Sequence, residues 1–155
     1  MIFLMTVMLS NLRKEENDML LDAAKKYYDK SYDLNCAETI LYAANETYGL
    51  NLDKKALKTM AAFGGGMAIE ETCGALTGAL AVLGILFVKD KAHESDRIKE
   101  LAQDFFEKFR SKLSSDNCKK LKELYRNDEE RCSHIVFAAA EILNEMIEEQ
   151  GCTNQ

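Results

Sequence analysis

Between Arg13 and Tyr32 the apolar residues Met19, Leu20, Ala23, Ala24 and Tyr27 recur every three or four positions among Glu, Asp and Lys. That period is the signature of an amphipathic helix. Asn35-Cys36-Ala37-Glu38 then has the form of a capping box, with a side-chain acceptor followed three residues later by a carboxylate. It predicts a helix over 36–48 that stops near Gly49. A shorter periodic run from Asp53 passes through Leu57, Met60 and Ala61 and ends at Gly64-Gly65-Gly66, where no helix continues comfortably. Thr72 to Phe87 is apolar or small on every side, which predicts a buried central helix. From His93 to Leu113 the pattern is strongly two-sided: Ile98, Leu101, Ala102, Phe105, Phe109 and Leu113 share one face, while Lys99, Glu107, Lys108 and Lys112 point elsewhere. A short helix over Cys118 to Tyr125 and a last one over Glu129 to Glu149 complete the series.

No internal repeat, low-complexity tract or linker interrupts this pattern. The expectation is an all-α, single-domain helical bundle of about six or seven helices, with a buried central glycine-containing helix. Its body would span 13–149, with an N-terminal lead-in over 1–12 and a C-terminal tail over 150–155. Composition agrees, since 155 residues with no Pro, no Trp and eight Gly lack the turn punctuation of a barrel or sandwich. At 47% hydrophobic residues, a chain of this length buries a sizeable core without needing a disulfide or metal to stay folded. Twenty basic against twenty-six acidic residues give a net charge of −6, which argues against a nucleic-acid platform. The opening MIFLMTVMLSNL lacks the basic n-region and small-x-small cleavage site of a signal peptide, and either Met5 or Met8 would serve as a start. Thr72 to Val88 is uncharged but falls short of the roughly 20 residues a bilayer span needs. The expected protein is cytoplasmic and not inserted in a membrane, and a homodimer is expected where apolar strips remain uncovered.

Five cysteines change the picture. On a helical wheel, Cys36 shares a face with Ile40, Ala43 and Ala44, Cys73 with Leu76 and Leu80, Cys118 with Leu121 and Tyr125, and Cys132 with Val136, Ala139 and Leu143. All four are predicted to point inward. Each also falls within the first turn of its predicted helix, where free N–H groups and the macrodipole favour a thiolate. Cys152 has neither property. Plain packing of small apolar side chains would account for any one of the four, but less well for all four at helix starts. Between consecutive members lie 36, 44 and 13 residues, with no C-x₂-C pair anywhere, so a local zinc ribbon or ferredoxin loop is excluded. A Cys₄ site assembled from four helices stays open. His134 projects about 200° away from Cys132 and is expected at the surface, as is His93 among Lys91, Glu94 and Asp96.

Phe63-Gly64-Gly65-Gly66-Met67 and Glu71-Thr72-Cys73-Gly74-Ala75-Leu76-Thr77-Gly78 form the most unusual stretch. A phosphate cradle is disfavoured, because no GK[ST] ending follows and Glu70 and Glu71 would repel an anion. Gly74, Gly78 and Ala81 instead make a narrow strip beside Cys73 that admits another helix closely and brings its cysteine within reach. Together with Asn35-Cys36-Ala37-Glu38, Cys118 and Cys132, these elements resemble the C_GCAxxG_C_C family of small helical redox-active proteins. The resemblance covers about residues 20–147. It implies that Cys36, Cys73, Cys118 and Cys132 are the defining set, with Gly74, Ala75 and Gly78 completing the motif as packing positions. Neither substrate nor cofactor comes with it.

The leading expectation is thus a thiol oxidoreductase or electron-transfer protein working with an unidentified redox partner. A module holding a metal ion or an iron–sulfur cluster on the same four cysteines is the second, and a structural protein with packing cysteines the third. Cys73 is expected to be the most consequential thiol, with the helix terminus lowering its pKa only if Glu70 and Glu71 turn outward.

Overall fold

A computed structural model describes residues 2–151. Helix α1 spans Ile2–Tyr28. Leu and Met are strong helix formers, and neither Gly nor Pro interrupts the run. The helix ends four residues before Tyr32 because Asp29 Oδ1 accepts the Ser31 N–H at 2.9 Å and its hydroxyl at 2.6 Å, turning the chain.

Helix α2, Cys36–Tyr48, begins on the predicted capping box. Asn35 Oδ1 accepts the Glu38 N–H at 2.9 Å, and Glu38 Oε2 accepts the Asn35 N–H at 3.0 Å. Helix α3 is the short Lys54–Leu57, capped by Asp53 and extended by one tighter turn to Met60. The glycine triplet then does more than stop a helix. Gly65, Gly66, Met67 and Ala68 all take φ near +60°, a single left-handed turn that two of the four adopt without glycine's freedom.

Helix α4, Gly74–Phe87, packs against α2, against α5 (Arg97–Leu113) and against α7 (Ser133–Glu149), which makes it the central element. Leu76 and Leu83 are fully buried, whereas Leu80, Ala81 and Gly84 are half-buried and Ile85 is exposed, so one edge of the central helix reaches solvent. Its glycines set the approach of α2 and of the Phe63–Gly64 turn. A Cβ added at Gly78 would lie 2.6 Å from the Ala37 carbonyl oxygen, and one at Gly74 would lie 2.8 Å from the Phe63 carbonyl oxygen. Helix α5 buries Leu101, Phe105, Phe109 and Leu113 as its pattern predicts. It starts at Arg97 rather than His93, because Glu94 folds back to accept the N–H groups of Lys89 and Asp90 at 2.6 and 2.9 Å.

Helix α6, Cys118–Tyr125, starts where expected, with Asn117 accepting the Lys120 N–H at 3.1 Å. Helix α7 starts four residues later than the pattern suggests. Asn127 Oδ1 captures the N–H groups of Glu129 and Glu130, and the backbones of Asn127 and Arg131 pair in both directions. Ten side chains of α7 are buried, including Asn144, whose Oδ1 accepts the Tyr48 hydroxyl at 2.7 Å. Among the described residues there is no strand, and no helix is long and apolar enough to cross a membrane.

Candidate functional site

Four of the helices begin at one place. Cys36 is the first residue of α2, Cys118 the first of α6, and Cys73 and Cys132 cap α4 and α7. All four line a single cavity of about 220 Å³. All four are free thiols. Cys152 lies outside the described residues. The sequence-predicted convergence is therefore present, and it is built by backbone as much as by packing. The Cys73 N–H donates to the Asp116 carbonyl at 2.8 Å and the Cys118 N–H to the Glu71 carbonyl at 2.6 Å, which clamps the start of α4 to the start of α6. The left-handed turn completes the clamp, since a Cβ on Gly66 would lie 2.7 Å from Cys118 Cβ. On the opposite side, the Gly78–Ala37 approach seats the first turn of α2, and with it Cys36, against α4.

Within the cavity the four thiols differ. Cys36 and Cys132 act on each other, and their thiols are shifted in opposite directions. Donation from Cys36, together with Arg126 Nη1 at 3.7 Å from Cys132 Sγ, pulls the Cys132 thiol down to about 6. Cys36, as donor to that sulfur and buried beside it, is pushed well above the ordinary thiol value. Burial pushes Cys73 up to about 11, outweighing the Ala75 and Leu76 N–H groups that favour its thiolate. Cys118 is also raised by burial, and Lys122 opposes that shift. Desolvation thus overrides the helix terminus at Cys73. Of the four thiols, Cys132 alone is lowered below the ordinary value.

Several lining residues were not singled out by their sequence pattern. Lys122 and Arg126 lie one and two turns beyond Cys118, so the helical wheel of α6 carried a signal for them. Arg131 precedes Cys132 directly; its guanidinium donates to the Tyr28 carbonyl and lies 4.2 Å from the centre of the Tyr28 ring. The Tyr28 hydroxyl in turn accepts the Cys132 N–H at 2.9 Å. Nothing in the local sequence announces a contact between residues so far apart. His134 is exposed and stacks on Tyr125 with ring centres 4.7 Å apart, and His93 is exposed, so both are outside the site as expected. Glu71 faces solvent, while Glu70 pairs with Lys122 at 2.9 Å. Gly74 and Gly65 contribute backbone to the wall.

As metal ligands, the four thiols have the right chemistry for zinc or for an iron–sulfur cluster. Among the described residues, however, no three His, Cys, Asp or Glu side chains converge as a single ion would require. A lone tetrahedral ion would need a closer gathering of donors than these side chains present.

Neither curated proteins nor solved structures yield a match to this chain. A family model described as "Putative redox-active protein (C_GCAxxG_C_C)" matches residues 34–146, a span that contains all four clustered cysteines, the left-handed turn and the Gly74–Gly78 element. The chain belongs to the C_GCAxxG_C_C family, and the general role that family carries is redox chemistry.

Proposed function

We propose that this protein is a thiol–disulfide oxidoreductase in which Cys132 is the nucleophile and Cys36 the resolving thiol. The observation that carries the proposal is that Cys36 and Cys132 line one cavity, with the Arg126 guanidinium 3.7 Å from Cys132 Sγ. A thiolate is the attacking species in exchange, and the best attacking thiol has a pKa near ambient pH. Cys132 meets that condition, and its neighbour holds the proton.

The cycle balances with a disulfide as oxidant. The Cys132 thiolate attacks one sulfur of the substrate disulfide, forming a mixed disulfide and releasing one substrate thiolate. Cys36 then yields its proton to a departing substrate thiolate and attacks Cys132 Sγ, which releases the second half. The protein dithiol has lost two electrons and the substrate has gained them. Cys73 and Cys118, both raised by burial, stay protonated and wall the cavity.

Reduced protein incubated with excess 2-hydroxyethyl disulfide is expected to lose two thiols, with peptide mapping finding Cys36 joined to Cys132. Cys36→Ser should stop at a mixed disulfide on Cys132, and Cys132→Ser should leave Cys36 free. Joining of any other pair, or full retention of thiols, overturns the assignment.

A second reading rests on the fact that all four cysteines line one cavity. A two-iron cluster takes two thiolates per iron and so does not require three sulfurs around one ion. Anaerobic reconstitution with iron and sulfide distinguishes the two. Stoichiometric iron and sulfide with charge-transfer absorption, lost on Cys73→Ser as well as Cys132→Ser, favours the cluster. The oxidoreductase reading expects Cys73→Ser to leave disulfide exchange intact.

A further inference from the structure

The cavity's lining contains three cationic side chains, Lys122, Arg126 and Arg131, and no Asp or Glu. This is unexpected on a chain whose net charge is −6. The three are not equivalent. Lys122 is paired with Glu70 at 2.9 Å, and Arg131 is occupied by the Tyr28 carbonyl and ring. Among the described residues Arg126 has no carboxylate partner, and its one side-chain hydrogen bond is to Cys132 Sγ. It is exposed while lining the cavity, and so stands at the opening. The starts of α2, α4, α6 and α7 add the positive ends of four helices to the same space.

Access sets a second limit. Cys132 is 5% exposed, Cys73 4% and Cys118 7%. A disulfide held in a folded protein cannot bring its sulfur to a thiol that deeply covered unless a loop unfolds into the cavity. The volume of about 220 Å³ is below the usual range for drug-sized ligands, enough for a small molecule or one arm of it.

Resting on the oxidoreductase reading above, we infer that the substrate is a low-molecular-weight disulfide bearing carboxylates close to its sulfurs, whose carboxylate is received by Arg126 while the adjacent sulfur meets Cys132. The leaving group is then a carboxylate-bearing thiolate, and the exchange proceeds with the balance already given. Arg126 acts on the substrate and on the nucleophile from one position.

The test compares three disulfides of similar size: dithiodiglycolate with two carboxylates, neutral 2-hydroxyethyl disulfide, and cystamine with two ammonium groups. Each rate of Cys132 thiol loss is divided by that disulfide's rate with free mercaptoethanol, which removes intrinsic reactivity. The expected order is anionic over neutral over cationic, with about a tenfold spread at low ionic strength that narrows in high salt. In Arg126→Gln the anionic-to-neutral ratio should fall by about three- to tenfold. Any change in Cys132 ionisation cancels from that ratio, so a merely structural role for Arg126 would not move it. Disulfide-bonded insulin should not oxidise the folded protein. Equal normalised rates for the three disulfides, a cationic preference, an unchanged ratio in Arg126→Gln or rapid oxidation by insulin overturns this inference while the Cys36–Cys132 pairing stands. Failure of every disulfide to join those two cysteines overturns the inference and the oxidoreductase reading together.

Discussion

Cys36 and Cys132 are pushed in opposite directions, Cys36 towards the thiol and Cys132 towards the thiolate, by each other and by what packs against them. Arg126 and Lys122 favour charge on Cys132, the Tyr28 hydroxyl accepts the Cys132 N–H, and Cys73 and Cys118 add no charge while protonated. A depressed value means that the thiolate persists above about 6 and is lost as pH falls through it. Alkylation of Cys132 by iodoacetamide should therefore be near its plateau at pH 7 and fall by half close to pH 6. Hydrogen bonds to a charged group are worth about 1.5–3 kcal/mol, so Cys36→Ala, which removes a donor to that sulfur, should move that midpoint up by about one to two units. Arg126→Ala should move it the same way by less, because the guanidinium is exposed and screened. A midpoint that stays at the ordinary thiol value in the wild type would remove the physical basis for Cys132 as nucleophile.

At the scale of elements, the site depends on how closely α2 approaches α4. Gly78 permits that approach, since even a methyl group there would meet the Ala37 backbone at 2.6 Å. Gly78→Ala should destabilise the protein by about 1–3 kcal/mol through overpacking, and Gly78→Leu by more. Both should return the Cys132 alkylation midpoint towards its ordinary value, because Cys36 rides on the first turn of the displaced helix. Gly84→Ala is the control: nothing lies within 4 Å of its added Cβ, and alanine is the better helix former. Urea unfolding and the alkylation profile of the three variants check the argument, and a Gly78→Ala protein indistinguishable from Gly84→Ala in both would refute it. This much was legible in the sequence, because a capping box, a glycine strip and a helical wheel are local codes. The start of α7 was not, because Asn127 takes the N–H groups of Glu129 and Glu130 before a helix can use them. The start of α4 shifted for a longer-range reason: Cys73 gives its N–H to Asp116, on a segment the local pattern could not see. Tyr28 reaches Cys132 across most of the chain, which no periodicity encodes.

Taken as a whole, the fold brings to one cavity two cysteines that lie far apart along the chain. Cys36 opens the second helix and Cys132 caps the last, so a bond between them would close a loop of nearly a hundred residues containing α2 to α6. Closing a loop of that length restricts the unfolded chain by roughly 4.7 kcal/mol in the chain-entropy description, less any strain in the folded state. Oxidation should thus raise stability against urea substantially without changing what is buried. The measurement is urea unfolding of reduced and oxidised wild type beside Cys36→Ser and Cys132→Ser under both conditions. The wild type should gain several kcal/mol on oxidation, and also show a lower m-value, because a cross-linked unfolded chain exposes less surface. Neither single variant should gain, since each lacks one end of the bond. Equal stability of the two wild-type forms would mean that the folded state yields as much in strain as the unfolded chain loses in freedom. A gain retained in Cys132→Ser would mean that a different pair had joined, and that the loop stabilising the bundle does not run from α2 to α7.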